Sequence, residues 1–342
     1  MRHIINIQKE RLMNRIMLSH GGGGEEMNHL INGLIFDIFD NQILRECNDS
    51  AILPNLNSFK FAFSTDSFTV TPLKFNGGDI GKIAVCGTIN DLCMSGAKPK
   101  YISCALIIEE GLEIAFLKEI LLSMKQTADL AGVSVVCGDT KVVPKGSCDK
   151  IFINTSGIGE IVSEINTKNL KDNAKIILSG DIGKHGAVIL AARSELNLQS
   201  DLKSDCKPLN DEVMAILDAK IKPFAMRDAT RGGISAVLNE WAMASNLGIK
   251  IYEENIKICD EVIGICELLG FEAYELANEG TFIVAVDPKD EPQTLEILTK
   301  FNPNARTIGE ISKSHKGVII QNIYGADRFL ELPKGELLPR IC

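Results

Sequence analysis

The sequence has no run of about eighteen apolar residues, so no transmembrane helix is expected. Its opening stretch, MRHIINIQKERLMNRIMLSH, carries basic residues without the continuous apolar core and small-residue cleavage site of a signal peptide. Met1 to Arg15 reads as an extension, Met13 and Met17 are alternative starts, and a cytoplasmic protein follows. There is no CxxC pair among the ten cysteines, most of which sit in apolar runs such as IAVCG and ISCAL. Such thiols behave as small hydrophobes in a reducing compartment, which argues against a zinc or iron-sulfur centre. Basic charge is also short: 36 Lys and Arg against 45 Asp and Glu leave a net charge of -9. No basic face is available for nucleic acid or an anionic membrane. Neither the P-loop pattern GxxxxGK[ST] nor GxGxxG after a strand occurs.

What is present is an ordinary globular composition, 45% hydrophobic and 24% charged, over 342 residues, enough for two domains. Met27, Leu30, Ile31, Leu34, Ile35, Ile38 and Phe39 recur at helical steps after a run of four glycines, Gly21 to Gly24. FKFAFSTDSFTVT, Phe59 to Thr71, alternates as a strand around a polar STDS centre. The pattern then predicts helix over 79–95, strand over 101–108, helix over 112–130, and strands over 133–137 and 150–158. A polar stretch, EIVSEINTKNLKDNA, marks a domain boundary near 160–174. Beyond it, strands over 175–179, 249–252 and 281–286 alternate with helices over 186–196, 211–221, 234–245, 261–269 and 291–301, with strands near Thr307 and Val318. Two α/β domains result, with boundaries at 17–163 and 172–331. The pentapeptide GDIGK occurs at Gly78 and again at Gly180 without flanking similarity, so it is no repeat.

Four aspartates lie in small, polar, glycine-rich surroundings: Asp66 in STDS, Asp91 in NDLCMSGAKP, Asp139 in GDTKVVP and Asp228 in RDATRGG. Taken singly, each could simply cap a helix or close a turn. Together they point to a hard cation held by oxygen, hence Mg2+ and a nucleotide. RGG, Arg231 to Gly233, opens a helix and combines a cation with unpaired N–H groups, an anion site. HGGGGEE offers a phosphate cradle or a loose loop, its two glutamates weighing against an anion. Lys141, two residues after Asp139, and Glu279 in ANEG could orient a substrate and take its proton, or form an ordinary surface pair. His185 at a helix start reads as a polar cap, and Trp241 as packing. The chain ends LPKGELLPRIC, where two prolines and a glycine make an extended tail (332–342) that carries the thiol of Cys342. The terminal carboxylate disfavours the thiolate there, and Arg340 favours it.

STDSF, GTINDLCMSGAKP, GDTKVV, RDATRGG, ANEG and PRIC occur in that order over about Met17 to Cys342. In this the chain resembles the HypE family of hydrogenase-maturation carbamoyl dehydratases, within the AIR synthetase-like (PurM-like) ATP-binding superfamily. The aspartate motifs are shared across the superfamily, and the PRIC end is specific to that branch. The resemblance implies a two-domain α/β (α+β) fold whose N-terminal domain forms an intersubunit β-barrel in a homodimer. It implies that the C-terminal cysteine takes a carbamoyl group from the carbamoyltransferase HypF. ATP then drives dehydration to a thiocyanate, delivered as cyanide to iron on the HypC-HypD complex. Carried onto matching positions, Cys342 is the carrier, Lys141 and Glu279 hold and deprotonate the modified group, and Asp66, Asp91 and Asp228 bind magnesium. Asp49, Asp139, Thr65, Thr140, Arg231 and Gly232 fall beside the nucleotide. Rival readings are another ATP-using enzyme of the same fold, such as a selenophosphate synthetase or thiamine-monophosphate kinase, and a non-catalytic nucleotide-binding thiol scaffold.

Overall fold

The computed structural model describes residues 24–30, 32, 51–53, 60–193, 198, 200–335 and 340–342. Asp49 and most of the helix expected after the glycine run lie outside them; the described part of that helix is α1, Glu25–Leu30. Two sheets organise the rest. The N-terminal sheet has the order β1-β2-β7-β5-β6, from β1 (Ala51–Leu53), β2 (Phe61–Phe68), β5 (Ala97–Glu109), β6 (Ser134–Val143) and β7 (Ile151–Ile161). A small ribbon, β3 (Lys74–Phe75) with β4 (Gly78–Asp79), stands apart. Only β5 and β6 run parallel; the other pairs are antiparallel.

The C-terminal sheet runs β14-β13-β10-β12-β8-β11-β9. Its members are β8 (Lys175–Leu178), β9 (Ala225–Asp228), β10 (Gly248–Tyr252), β11 (Phe282–Val286), β12 (Arg306–Ser312), β13 (Gly317–Gln321) and β14 (Asp327–Phe329). Here only β10 and β13 are parallel. The alternation of strands and helices suggests parallel β-α-β units, yet most neighbours pair antiparallel, because strands distant in sequence close both sheets.

The helix α2, Ile80–Met94, shows why these residues form their element. Asp79 caps its start by accepting the Lys82 N–H at 3.0 Å, and apolar residues occupy nearly every side. A helix that is apolar all round belongs in a core. Ile80, Ile83, Ile89 and Leu92 are fully buried, and α2 packs on β2, β5 and β7, on α3 (Ile114–Leu130), and on the C-terminal β9 and α5 (Asn210–Asp218). At Gly87 a Cβ would come within 2.9 Å of the Phe68 ring, so close approach to β2 requires glycine. One apolar cluster runs from Phe68 and Ile89 through Val213 and Phe282 to Ile341, binding both halves and the chain's end into one core.

Among the described residues nothing covers the other face of the N-terminal sheet. Cross-strand partners share a face, and the register sets Phe63, Ile158 and Tyr101 in one row across β2, β7 and β5. All three are exposed, as is Phe61, two residues from Phe63 on the same face of β2. Among the described residues no helix is long and apolar enough to cross a membrane.

Candidate active site

Alternation along β2 turns Ala62, Ser64, Asp66 and Phe68 inward. Asp66 thereby meets α2, whose Thr88 hydroxyl lies 3.2 Å from Asp66 Oδ2. One turn further along α2, Asp91 accepts the Ser64 hydroxyl at 2.7 Å, and the Asp66 and Asp91 carboxyls hydrogen-bond each other. Two carboxyls in such contact must share a proton or a cation. Asp66 is raised above the ordinary carboxylate value by burial, against the lowering influence of those hydrogen bonds and of Arg231.

Asp228 ends β9, a strand that the sequence pattern misses because the polar RDATRGG begins within its four residues. Burial pushes its carboxyl up to about 6, opposed by Arg227 and reinforced by Asp66. Gly232 and Gly233 follow at φ +76° and +58°, and open α6, Gly233–Ser245. A Cβ on Gly233 would stand 2.4 Å from the Tyr274 carbonyl oxygen, so this tight entry admits no side chain. Arg231 is exposed at the mouth of the cluster.

Glu279 is held by its backbone. Its N–H and that of Gly280 donate to the two oxygens of half-buried Asp205, at 3.1 and 3.0 Å, while its carbonyl accepts from the Lys207 N–H at 3.3 Å and from Asn90 Nδ2 at 3.4 Å. Asn278 clamps the neighbouring loops, donating to the Ala229 carbonyl and accepting the Gly183 N–H at 2.6 Å. The Glu279 side chain is 2% exposed and its Oε1 has no hydrogen-bond partner. Burial, then Cys206, Asp228, Asp205 and Asp66, drive its carboxyl well above the ordinary value. An unpartnered buried oxygen among like charges calls for a proton, a cation or a donating substrate.

The chain's last residues arrive beside this cluster. Cys342 accepts the Thr69 N–H at 2.9 Å, Arg340 accepts that of Thr71 at 3.2 Å, and Ile341 is buried. The tail's end thus adds a short stretch of main chain beyond β2. The Cys342 thiol is pushed up to about 12 by burial, with Arg231 lowering it and Glu279, Asp66 and Asp228 raising it. Arg340 faces elsewhere: its guanidinium donates to the Thr69 carbonyl and pairs with Asp149 at 2.7 Å. The cation near the sulfur is therefore Arg231. The base of the tail is also held, where the Glu25 N–H donates to the Pro333 carbonyl at 3.0 Å and Gly335 N–H to Glu26 at 3.0 Å. Gly24, last of the glycine run, packs against Pro333, where a Cβ would lie 2.3 Å from the carbonyl oxygen.

Cys342, Glu279, Asp66, Asp91, Asp228 and Arg231 are thus brought together. Asp139 and Lys141 are not. The strand expected over 133–137 continues to Val143 and carries both, and register places Asp139 in a row with Ala105, Asn154 and Ser67, one step from the Asp66, Thr155, Cys104 row. Successive residues face opposite ways, so the two lie on the uncovered face, with Lys141 Nζ 2.6 Å from Asp139. Thr65 shares that face and receives a hydrogen bond from Ser156 at 2.8 Å; Thr140 lies between Asp139 and Lys141 on β6.

His185, expected as a polar cap, is fully buried in the first turn of α4, Lys184–Arg193, and its ring reaches Ser204 and the Ile341 carbonyl. Asp205, Asn90, Asn278 and Arg193 escape sequence reading altogether, since each acts on a loop far away in the chain.

Among the described residues no three or more His, Cys, Asp or Glu form a group that could by itself hold a metal ion. Magnesium commonly takes one or two carboxylates and completes its shell with water and substrate phosphates. The adjoining Asp66 and Asp91 carboxyls, with Asp228 near, fit that mode.

A family model for the AIR synthase related protein N-terminal domain matches residues 47–161, and one for the C-terminal domain matches 171–322. Carbamoyl dehydratase HypE of Escherichia coli K12 is 44% identical over 339 residues, spanning 96% of this chain and 100% of its own. The chain belongs to the HypE carbamoyl dehydratase family. A crystal structure of a HypE in complex with ATP superposes with a TM-score of 0.80 at 38% identity, covering 96% of this chain and 100% of the other. A crystal structure of a HypE-HypF complex gives 0.83 at 44% identity, covering 89% and 99%. The HypE family fold therefore holds for both halves of the chain.

The buried carboxyls set a pH dependence for the protein free of metal and nucleotide. Asp228 has a folded value of about 6 against an ordinary 3.8. The folded state binds its proton more tightly, so its contribution is full below the lower value and is lost as pH rises through the higher. Removing that charge with Asp228→Asn should stabilise the fold relative to wild type by about 2 kcal/mol more at about pH 7 than at about pH 4, seen as a larger rise in Tm at the higher pH. Thermal unfolding in chelator at the two pH values measures it, and an equal shift at both refutes the assignment.

Proposed function

We propose that this chain uses ATP to dehydrate a carbamoyl group carried on Cys342, turning the thiocarboxamide into a thiocyanate that supplies the cyanide ligand of a [NiFe]-hydrogenase iron centre. The observation that carries the reading is the seat of the Cys342 thiol, half-buried beside Glu279, Asp66, Asp228 and Arg231. A selenophosphate synthetase or thiamine-monophosphate kinase would have no use for a terminal cysteine there.

When bound, magnesium-ATP supplies the phosphoryl group that makes the amide oxygen a leaving group. Asp66, Asp91 and Asp228 would hold the magnesium, and Arg231 with the Gly232 N–H would hold phosphate, the Gly233 N–H being taken by the Thr230 carbonyl at 2.9 Å. Glu279 takes the amide protons as the C–O bond breaks. A carboxylate desolvated among other carboxylates is a stronger proton acceptor than one in water. The low-lying thiol of Cys342 fits the same scheme: protonated while seated, it must leave the pocket to receive the carbamoyl group and return carrying it.

A homodimer is part of the proposal. The exposed row Phe63, Ile158 and Tyr101, on the face that bears Asp139 and Lys141, is a contiguous apolar surface of the kind a second copy covers. Sedimentation should give a dimer; a monomer at micromolar concentration would remove this element. The partners we assign are HypF as carbamoyl donor, by analogy with the HypE-HypF complex, and HypC-HypD as acceptor. A cytoplasmic location is part of the same proposal, supported by the free cysteines among the described residues.

The intact mass of the C-terminal peptide, before and after ATP with a carbamoyl donor, tests the central claim. Loss of one water from a carbamoylated Cys342 is expected, and the absence of ATP turnover would favour a scaffold. Glu279→Gln should accumulate carbamoylated tail without dehydrating it; conversion at the wild-type rate would strip Glu279 of its role. Cys342→Ala should yield no modified peptide while still binding ATP.

A further inference from the structure

The tail's last residues are gripped by their main chain, from a side of the pocket that takes no part in the chemistry above. His185 Nε2 lies 2.8 Å from the Ile341 carbonyl oxygen, one residue before the reactive thiol. Arg193, at the other end of the same helix, donates to the Arg340 carbonyl through one guanidinium nitrogen and to the Thr71 carbonyl through another. A single helix thus holds two consecutive tail carbonyls and the strand end on which the tail lies.

The protonation of the histidine can be worked out. A carbonyl only accepts, so Nε2 must carry hydrogen. Ser204 Oγ lies 2.8 Å from Nδ1 and already accepts the Cys206 N–H at 3.1 Å, so its hydroxyl proton is available to Nδ1. The result is a neutral imidazole with both nitrogens satisfied, packed edge-on against Phe75 with ring centroids 5.2 Å apart. Burial lowers its pKa to about 4, in agreement, although the Ile341 carbonyl pulls the other way.

We propose that His185, fixed by Ser204, and Arg193 form a dock for the tail backbone and act as positioning residues that set Cys342 against Glu279. This rests on the dehydratase reading. Because the grip is on carbonyls, it is the same whether the sulfur carries hydrogen, carbamoyl or cyano, and an uncharged hydrogen bond at its centre leaves the tail able to depart. The same segment serves both sides of the reaction: Ser204 orients the dock, and the next residue, Asp205, holds the Glu279 backbone. The distance between thiol and base is therefore set through two adjacent residues.

The test uses full-length protein carbamoylated beforehand, mixed with excess magnesium-ATP, with the C-terminal peptide mass followed through a single turnover. His185→Ala should slow loss of water by about tenfold or more, since displacement of a reacting group by about 1 Å can cost about a hundredfold. Its KM for ATP should stay near wild type, and alkylation of uncarbamoylated Cys342 by iodoacetamide should become faster. His185→Gln, whose carboxamide N–H can reach the same carbonyl, should recover much of the rate. If His185→Ala does not fold, Ser204→Ala and Arg193→Met should show the same paired change. Wild-type rates in these variants, or slow dehydration with unaltered alkylation, overturn the dock. Failure of the wild-type protein to lose water would instead overturn the dehydratase reading, and the alkylation rates would then decide the dock alone.

Discussion

Negative charge confined away from water is the constraint on which this site depends. Asp66, Asp91, Asp205, Asp228 and Glu279 crowd one region, and burial is the largest influence on Asp66, Asp205, Asp228 and Glu279 alike. Charges in a medium of low polarisability are costly unless something neutralises them. Asp205 is answered by two backbone N–H groups, and Asp66 and Asp91 lean on each other. Glu279 Oε1 has no such answer. A site left in this condition is prepared for cations and for a substrate with protons to give.

The same burial explains the tail. A thiol pushed up to about 12 is inert while seated, so the pocket that suits dehydration is unsuited to loading. Under the proposed function, chemistry at Cys342 is divided between two places. The end of the chain can be held reversibly because hydrogen bonds to its main chain hold it, and the ion pair of Arg340 with Asp149 is half exposed.

Much of the fold is legible in local pattern. The helix predicted over 79–95 is observed as Ile80–Met94, with Asp79 as its cap, and that over 291–301 is observed as Glu291–Phe301. Apolar spacing reports burial directly, which is why such segments are readable. The strand predicted over 133–137 stops short because β6 continues through GDTK, whose polar residues face outward from an uncovered sheet and break the apolar run. The four residues of β9 go unseen for a related reason: an aspartate that ends a strand in a carboxylate cluster looks like a turn.

By itself the sequence singles out the candidate side chains: four aspartates in small polar settings, a glutamate in ANEG, a paired glycine at a helix entry, and a terminal cysteine. These are local facts of residue type and spacing. Tertiary structure alone decides who meets whom. Cross-strand register sends Lys141 and Asp139 to the face opposite Asp66, and packing between domains turns His185 from a helix cap into a hold on Ile341 and sets Arg231, not Arg340, beside the thiol. Register and interdomain packing join residues more than a hundred positions apart, and no spacing along the chain encodes such a meeting.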